Sequence, residues 1–430
     1  MNHFSPPSCR EYNELSRRQL LRGAGVFASS ALASSWLPQV ALAQDHHSNR
    51  DVLISIFLRG GADGLTLCVP HGDPGYYAPG VRPSLAIARP DSQVSTRALD
   101  LDGFFGFPQA MGSLLPAYRA GHLLVVHATG SVDATRSHFQ AQHNMEAGVL
   151  DDINLQTGWL GRHLATIPPL QPSAPLRALS LGYAVPVTLA GATKATALPD
   201  PGRASLSGLS RYAGANQDWL RNAYAGAPEM LQESALTTLD TLSLLQRINF
   251  AAYRPSGGAV YPNTSLGRSL MATAALIKAQ VGVEAIHTDY GMWDTHTQAG
   301  PTNGYMAGLM RDFADSIAAF HADMFAQNTP NLALVALSEF GRTVRENASQ
   351  GTDHGHGNVM FVLGDHILGG QVFAKWPGLN RDQLDSGSDL KVTIDHRDIL
   401  GEVVSRCLGN QQLSVVFPGV LPVFHGITRP

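Results

Sequence analysis

Apolar residues in this chain gather into short continuous runs separated by polar, glycine-rich or helix-like segments. Val52–Leu58 is the first such run, bounded by Gly60 and Gly61, and reads as a strand buried on both faces. Leu123–His127, Leu176–Leu181, Val283–His287, Leu332–Leu337 and Val359–Leu363 repeat the pattern. Elsewhere the spacing turns helical: Met306, Leu309, Met310, Phe313, Ile317 and Phe320 share one face of a helix predicted from Tyr305 to Phe325, a core stripe. Helices are also expected over about 109–120, from Ser137 to about Glu146, over much of about 205–280, and from Asp398 to Cys407. Ser137-His-Phe-Gln140 reads as a capping box and Gly148 as a helix stop. Strands alternating with helices predict an α/β fold of three layers, a mostly parallel sheet with helices on both faces. It would occupy residues 51–430, with about 205–280 as a helical insertion.

The first residues do not belong to that pattern. Ser16-Arg17-Arg18-Gln19-Leu20-Leu21 is a twin-arginine motif, followed by a weakly apolar stretch ending in Ala41-Leu42-Ala43, a small-residue cleavage signal. Gly23, Gly25 and Pro38 dilute the stretch, which argues against an anchor, and no later run is long enough to span a bilayer. The expectation is a signal over residues 1–43, a polar leader over 44–50 whose His46 and His47 are solvated, and a periplasmic or secreted mature chain. The twin-arginine translocase would be a transient partner, carrying the chain folded and with any metal already loaded.

Charge excludes one class of partner. A formal net charge of −4 with four lysines is not the basic surface a nucleic acid selects. Cysteine usage decides nothing: Cys9 would leave with the signal, and Cys68 and Cys407 either pair or stay as buried thiols.

The chemistry concentrates in three places. Gly351-Thr-Asp-His-Gly-His-Gly357 packs Asp353, His354 and His356 among glycines, with side chains that ligate divalent transition metals on a backbone free to turn tightly. Trp293-Asp294-Thr295-His296 offers a D-x-H pair that can face one ion from an extended segment. Asp63 follows the first strand, where open α/β sheets bind ligands; its competing role is to satisfy backbone groups of its own turn. Glu339, just past the strand Leu332–Leu337, is a further candidate ligand or a partner of Arg342 or Arg345. One or two divalent ions, zinc first and manganese, calcium or magnesium as alternatives, suit such a set; two would clamp both oxygens of an in-line displacement. Ser137, opening a helix beside His138, is the candidate nucleophile or merely an N-cap, with Thr135 as the fallback. Arg59 is either an anion clamp or the partner of a nearby carboxylate, and His143 and Glu146 either line the site or bond each other. No G-x-S-x-G elbow, no G-x-x-x-x-G-K-[ST] loop and no strand-linked G-x-G-x-x-G occurs after the signal, so a serine esterase, a nucleotide-loop enzyme and a dinucleotide dehydrogenase have no support.

The strings LISIFLRGGADGLTLCVPHGDPGYY, TRSHFQAQHNMEAG, GWLGRHL, MWDTHTQAG, LSEFGRTVRENASQGTDHGHGNVMFVLG and the closing VFPG together resemble the domain of unknown function 1501 family, from about Val52 to Phe417. The resemblance implies bacterial chains with twin-arginine signals and a fold grouped with the alkaline phosphatase and sulfatase superfamily. That superfamily's pattern would put Asp63 as the Asp after the first strand, Ser137 or Thr135 as the nucleophile, and Asp294 with His296 as a shortened D-x-x-x-H pair. Its Asp-His pair falls on Asp353-His354 by composition or on Glu339-Phe340 by position, the latter leaving His354 or His356 as the remaining histidine. No C-x-P-S-R occurs, which disfavours a formylglycine sulfatase.

Two functions follow as expectations. One is an exported metal-dependent hydrolase of phosphate or sulfate esters, small or polymeric. The other is a non-catalytic exported binding or assembly protein on a phosphatase-like scaffold.

Overall fold

In the computed structural model, which describes residues 50–150, 152, 154–206, 213–326 and 331–429, the apolar runs become the strands of one sheet. The expected signal and all of the leader except Arg50 lie outside the described residues. Strands β1 (Val52–Leu58), β2 (Leu123–Gly130), β3 (Ala178–Ser180), β4 (Ala195–Ala197), β5 (Ala285–Tyr290), β6 (Leu332–Leu337), β7 (Asn358–Gly364), β8 (Gln371–Ala374) and β9 (Ile394–Asp395) form a nine-stranded sheet. Their order is β8-β2-β7-β6-β1-β5-β3-β4, with β9 also on β2. Pairings are parallel except those of β7, which runs against both β2 and β6. The sheet is therefore mostly parallel, as expected.

Period-two alternation splits each central strand between two cores. Ile54, Ile56 and Leu58 face one side with Leu332, Leu334, Val359 and Phe361; Leu53 and Phe57 face the other with Ala333, Val335, Met360 and Val362. Helices α5 (Ser265–Lys278) and α6 (Tyr305–Met324) cover the first face through Leu266, Leu270, Met306, Met310, Phe313, Ile317 and Phe320. The second is covered by α1 (His138–Ala147), α2 (Trp159–Thr166) and α7 (His396–Arg406), through Met145, Trp159, Leu160, Leu164, Ile399, Leu400 and Val403. Both faces of the central strands are thus dry, which is why these strands read as unbroken apolar runs. Phe57 is 2% exposed, and its truncation to Ala carries the usual cost of a buried aromatic, about 3–5 kcal/mol.

Several local expectations change. The helix over 109–120 is a 3-10 segment, Gln109–Leu114, followed by a short α-helix, Leu115–Arg119. Pro116 has no N–H to give to the Gly112 carbonyl, and Leu115 N–H takes that acceptor in 3-10 fashion. Helix α1 begins at His138 and stops at a left-handed Gly148, but the capping box is absent: Ser137 makes no side-chain cap bond and Gln140 donates to Asn144 instead. Of the stretch 205–280, Ala213–Tyr224 and Glu229–Arg247 are helical as expected, whereas α5 is part of the layer that covers the sheet. Strands β4, β8 and β9 and helix α2 were not foreseen; the three strands have two to four residues each, too few to show a period. Cys68 and Cys407 are free, buried in different cores, and burial pushes both thiols up.

The positional consequence is simple. Because β1, β2, β5 and β6 run parallel and β7 runs against them, the loops leaving the first four and the loop entering the fifth emerge at one rim of the sheet. Those loops hold Arg59–Asp63, Ser131–Ser137, Trp293–His296, Ser338–Arg342 and Asp353–Gly357.

Candidate metal centre

The two-histidine segment lies against the start of the Ser338–Arg342 loop so closely that glycine is required. A side chain on Gly355 would sit 2.3 Å from the Arg342 carbonyl carbon, and one on Gly341 would sit 1.9 Å from the Gly357 oxygen. Reciprocal bonds, Gly341 N–H to His356 O at 2.8 Å and Gly355 N–H to Gly341 O at 2.9 Å, fix this register and set Arg342 opposite His354. His354 is thereby delivered to Asp294 from the loop after β5, and to His138 at the start of α1.

His138, Asp294 and His354 are the described residues that offer a three-ligand metal group, with one donor atom from each lying within 4.8 Å of the others. The imidazoles are oriented by their other nitrogens. His138 Nδ1 is 2.8 Å from Glu339 Oε1, and His354 Nδ1 is 2.8 Å from the Arg136 carbonyl. His296, the neighbouring ring, sets Nδ1 3.2 Å from Asp353 Oδ1. Carbonyls and carboxylates only accept, so Nδ1 of His138 and of His354 carries a proton, whereas His296 faces a carboxylate with each of its nitrogens. The Nε2 atoms converge on one carboxylate: His138 at 3.6 Å from Asp294 Oδ2, His354 at 3.4 Å and His296 at 2.9 Å from Oδ1. His296 and His354 bring their Nε2 atoms to 3.1 Å. His138 Nε2 is buried and has no hydrogen-bond partner. Neutral rings would set lone pairs against oxygen, so the cluster calls for added protons or a cation among them; this donor set fits a divalent metal.

The surroundings hold the rings rigid. Phe340 packs against His138 and His354 with ring centroids 4.8 and 4.9 Å apart. Glu339 has a fully buried carboxylate that also accepts from Gly60 N–H, Gln142 and Ser338. Burial pushes its carboxyl up, but bonds from Gln142, its own backbone, His138 and Gly60 outweigh that and hold it below the usual range. Asp294 follows the same logic: burial raises it, and Arg342, then His296 and His138, bring it below the ordinary value. Burial lowers His354, which favours the neutral, metal-binding form.

Arg342 is the residue whose importance the sequence reading missed. Its buried guanidinium donates to Gly61 O at 2.5 Å, to Gly60 O, to Trp293 O at 3.3 Å, to Thr352 O at 3.0 Å and to Asp294 Oδ1 at 2.5 Å. One side chain therefore ties the loops after β1 and β5 to the β6–β7 connection and holds the far end of that connection at Thr352. Its one mark in the sequence was an arginine three residues after Glu339.

The other expected site residues part company. Asp63 does not join the cluster: Arg82 grips both its oxygens at 2.6 and 3.0 Å, Thr66 donates at 2.7 Å, and the pair is buried. Burial raises the Asp63 carboxyl, and Arg82 more than reverses this. His356 has both nitrogens engaged, by Asp385 at 2.6 Å and Ser131 O at 2.9 Å. Asp353 stands behind His296, also accepting from Asn347 at 3.1 Å, and Glu339 stands behind His138. Arg59 pairs with Glu146 at 3.1 Å and Asp289 at 2.8 Å, so its guanidinium is not a free anion clamp. Glu146 is thus Arg59's partner, and His143 bonds the Asp152 carbonyl at 3.0 Å. Ser137 is exposed next to His138, while Thr135 Oγ1 accepts the Ser137 N–H at 3.4 Å.

Comparison with curated proteins gives no match. The family model described as Protein of unknown function (DUF1501) matches residues 50–409, a span that holds the whole sheet and every residue of the histidine cluster, and the chain belongs to that family.

Proposed function

We propose that this chain is an exported metal-dependent hydrolase of phosphate or sulfate esters, with His138, Asp294 and His354 as cation ligands and His296 beside them. The observation that carries the reading is the buried, unpartnered His138 Nε2 facing Asp294 while Glu339 fixes the opposite nitrogen. Imidazoles with one carboxylate suit zinc better than calcium or magnesium, which favour oxygen donors. A divalent ion held there supplies positive charge to an anionic ester and lowers the pKa of a coordinated water.

The chain's own groups would do the rest. Ser137 presents an exposed hydroxyl at the amino end of α1, where first-turn N–H groups favour an anion. Phe340 and Glu339 keep His138 from turning away. The twin-arginine motif at Ser16–Leu21 and the Ala41–Ala43 signal support export.

One observation favours the second reading, a non-catalytic exported scaffold. Arg342 already gives Asp294 a counter-charge at 2.5 Å. Metal analysis of purified protein, followed by assays on aryl phosphate, phosphodiester and sulfate esters, separates the two. The hydrolase reading expects about one bound ion per chain, its loss in His354→Ala, and turnover of at least one ester class. Bound metal without turnover favours the scaffold, and a metal-free wild type grown in metal-replete medium sinks the metal centre.

A further inference from the structure

The histidine cluster does not stand alone at its rim. Phe139, the residue after His138, is 89% exposed. Met292, two residues before Asp294, is 71% exposed and has a φ of 77°. Val132 is half exposed on the loop from β2 to α1, and Tyr183 is 96% exposed just past β3, beside the end of β5. Single exposed apolar side chains need no explanation, but several on the very segments that present a charged cluster do.

Met292 is the informative one. A left-handed backbone at an unbranched residue other than glycine is strained, and it persists only where its surroundings enforce it. Trp293, next in the chain, is fully buried and donates its N–H to Arg59 O at 3.2 Å, which pins the turn and leaves the Met292 side chain in solvent beside Asp294. Glycine would relieve the strain and remove the exposed apolar surface together. Met292, mostly exposed at this turn, is not part of either core.

We infer that the ester received at this rim is amphiphilic, its anionic head at His138, Asp294 and His354 and its apolar chain or ring against Phe139 and Met292. The inference rests on the reading of the cluster as a cation site for an anionic ester. Charge complementarity places the head, and the exposed apolar side chains next to His138 and two residues before Asp294 in the chain place the tail.

Calorimetric binding of decyl phosphate and ethyl phosphate to zinc-loaded protein tests this, with wild type beside the surface variant Phe139→Ser/Met292→Ser. The expected result is that wild type binds the decyl ester at least about tenfold more tightly, since each methylene leaving water favours binding. The ratio should collapse toward one in the variant, with the ethyl ester's affinity unchanged. Equal affinity for both esters, or a ratio that survives the substitutions, overturns the inference. So does a variant that only turns a dimer into a monomer in sedimentation, because the patch is then a contact between copies. Chain-length-dependent binding together with no turnover of any aryl phosphate, phosphodiester or sulfate ester leaves the amphiphile site standing and removes the hydrolase.

Discussion

Glu339 Oε1 lies 2.8 Å from His138 Nδ1, while the other nitrogen of the same ring is buried without a partner. This relationship puts the proton on Nδ1 and leaves Nε2 as the atom the proposed cation would meet. Glu339→Gln keeps an acceptor oxygen for Gly60 and His138 but removes the negative charge behind the ring. Zinc affinity, measured by competition with a chromophoric chelator, is expected to fall about 10–100-fold. A Kd indistinguishable from wild type would show that Glu339 does not orient a ligand.

Asp63 and Arg82 make the opposite kind of pair, a buried ion pair outside the histidine cluster. Asp63→Asn leaves the Arg82 guanidinium buried with an uncompensated charge, and a loss of about 3–5 kcal/mol is expected in urea unfolding. Metal content per folded chain should stay at the wild-type value. Loss of metal with unchanged stability would restore Asp63 to the ligand set.

Arg342→Lys tests whether the guanidinium organises the rim. A single ammonium cannot reach Gly60 O, Gly61 O, Trp293 O, Thr352 O and Asp294 together. Buried carbonyls left without donors cost about 1–3 kcal/mol each, so a destabilisation of at least about 3 kcal/mol is expected. Weaker zinc binding should accompany it, as the loop after β5 and the β6–β7 connection lose their tie. Wild-type urea stability in the lysine variant would count against the role.

The buried His127 predicts a pH dependence. Burial holds its pKa at about 4, below the ordinary 6.5; its Nε2 faces Cys68 O at 2.9 Å and its Nδ1 accepts from Ala128 N–H at 2.8 Å. Protonation would turn that acceptor into a donor facing a donor. With the folded pKa depressed, the unfolded chain binds the proton first. The stabilising contribution is whole above pH 6.5 and is lost as pH falls from 6.5 toward 4. Equilibrium unfolding between those limits should show a slope of up to ~1.4 kcal/mol per pH unit from this group, reduced in His127→Asn.

The sheet was legible in the sequence because β1, β2, β6 and β7 are dry on both faces, which leaves no room for polar alternation. Short edge strands such as β8, with its exposed Gln371, carried no such mark. In the site, Asp294, His296 and His354 were found by residue type and spacing, and His138 was found but given a different part. Asp63 misled because its position after β1 is right for a ligand, and the arginine that claims it lies nineteen residues away in an irregular stretch. Arg342 escaped because, Asp294 apart, the oxygens it binds are backbone carbonyls, which leave no trace in a pattern of side chains.

The reversed direction of β7 has a consequence for how such a protein can change. A parallel neighbour of β6 would have needed a crossover helix. An antiparallel one returns directly, and residues 338–357 form the single connection that carries Glu339, Arg342, Asp353 and His354. The reciprocal bonds of Gly341 with Gly355 and His356, and the bridge of Arg342 with His354, carry the antiparallel pairing on beyond the sheet. An insertion or deletion at this corner would therefore displace Arg342 and His354 together, so the hairpin can drift only as a unit.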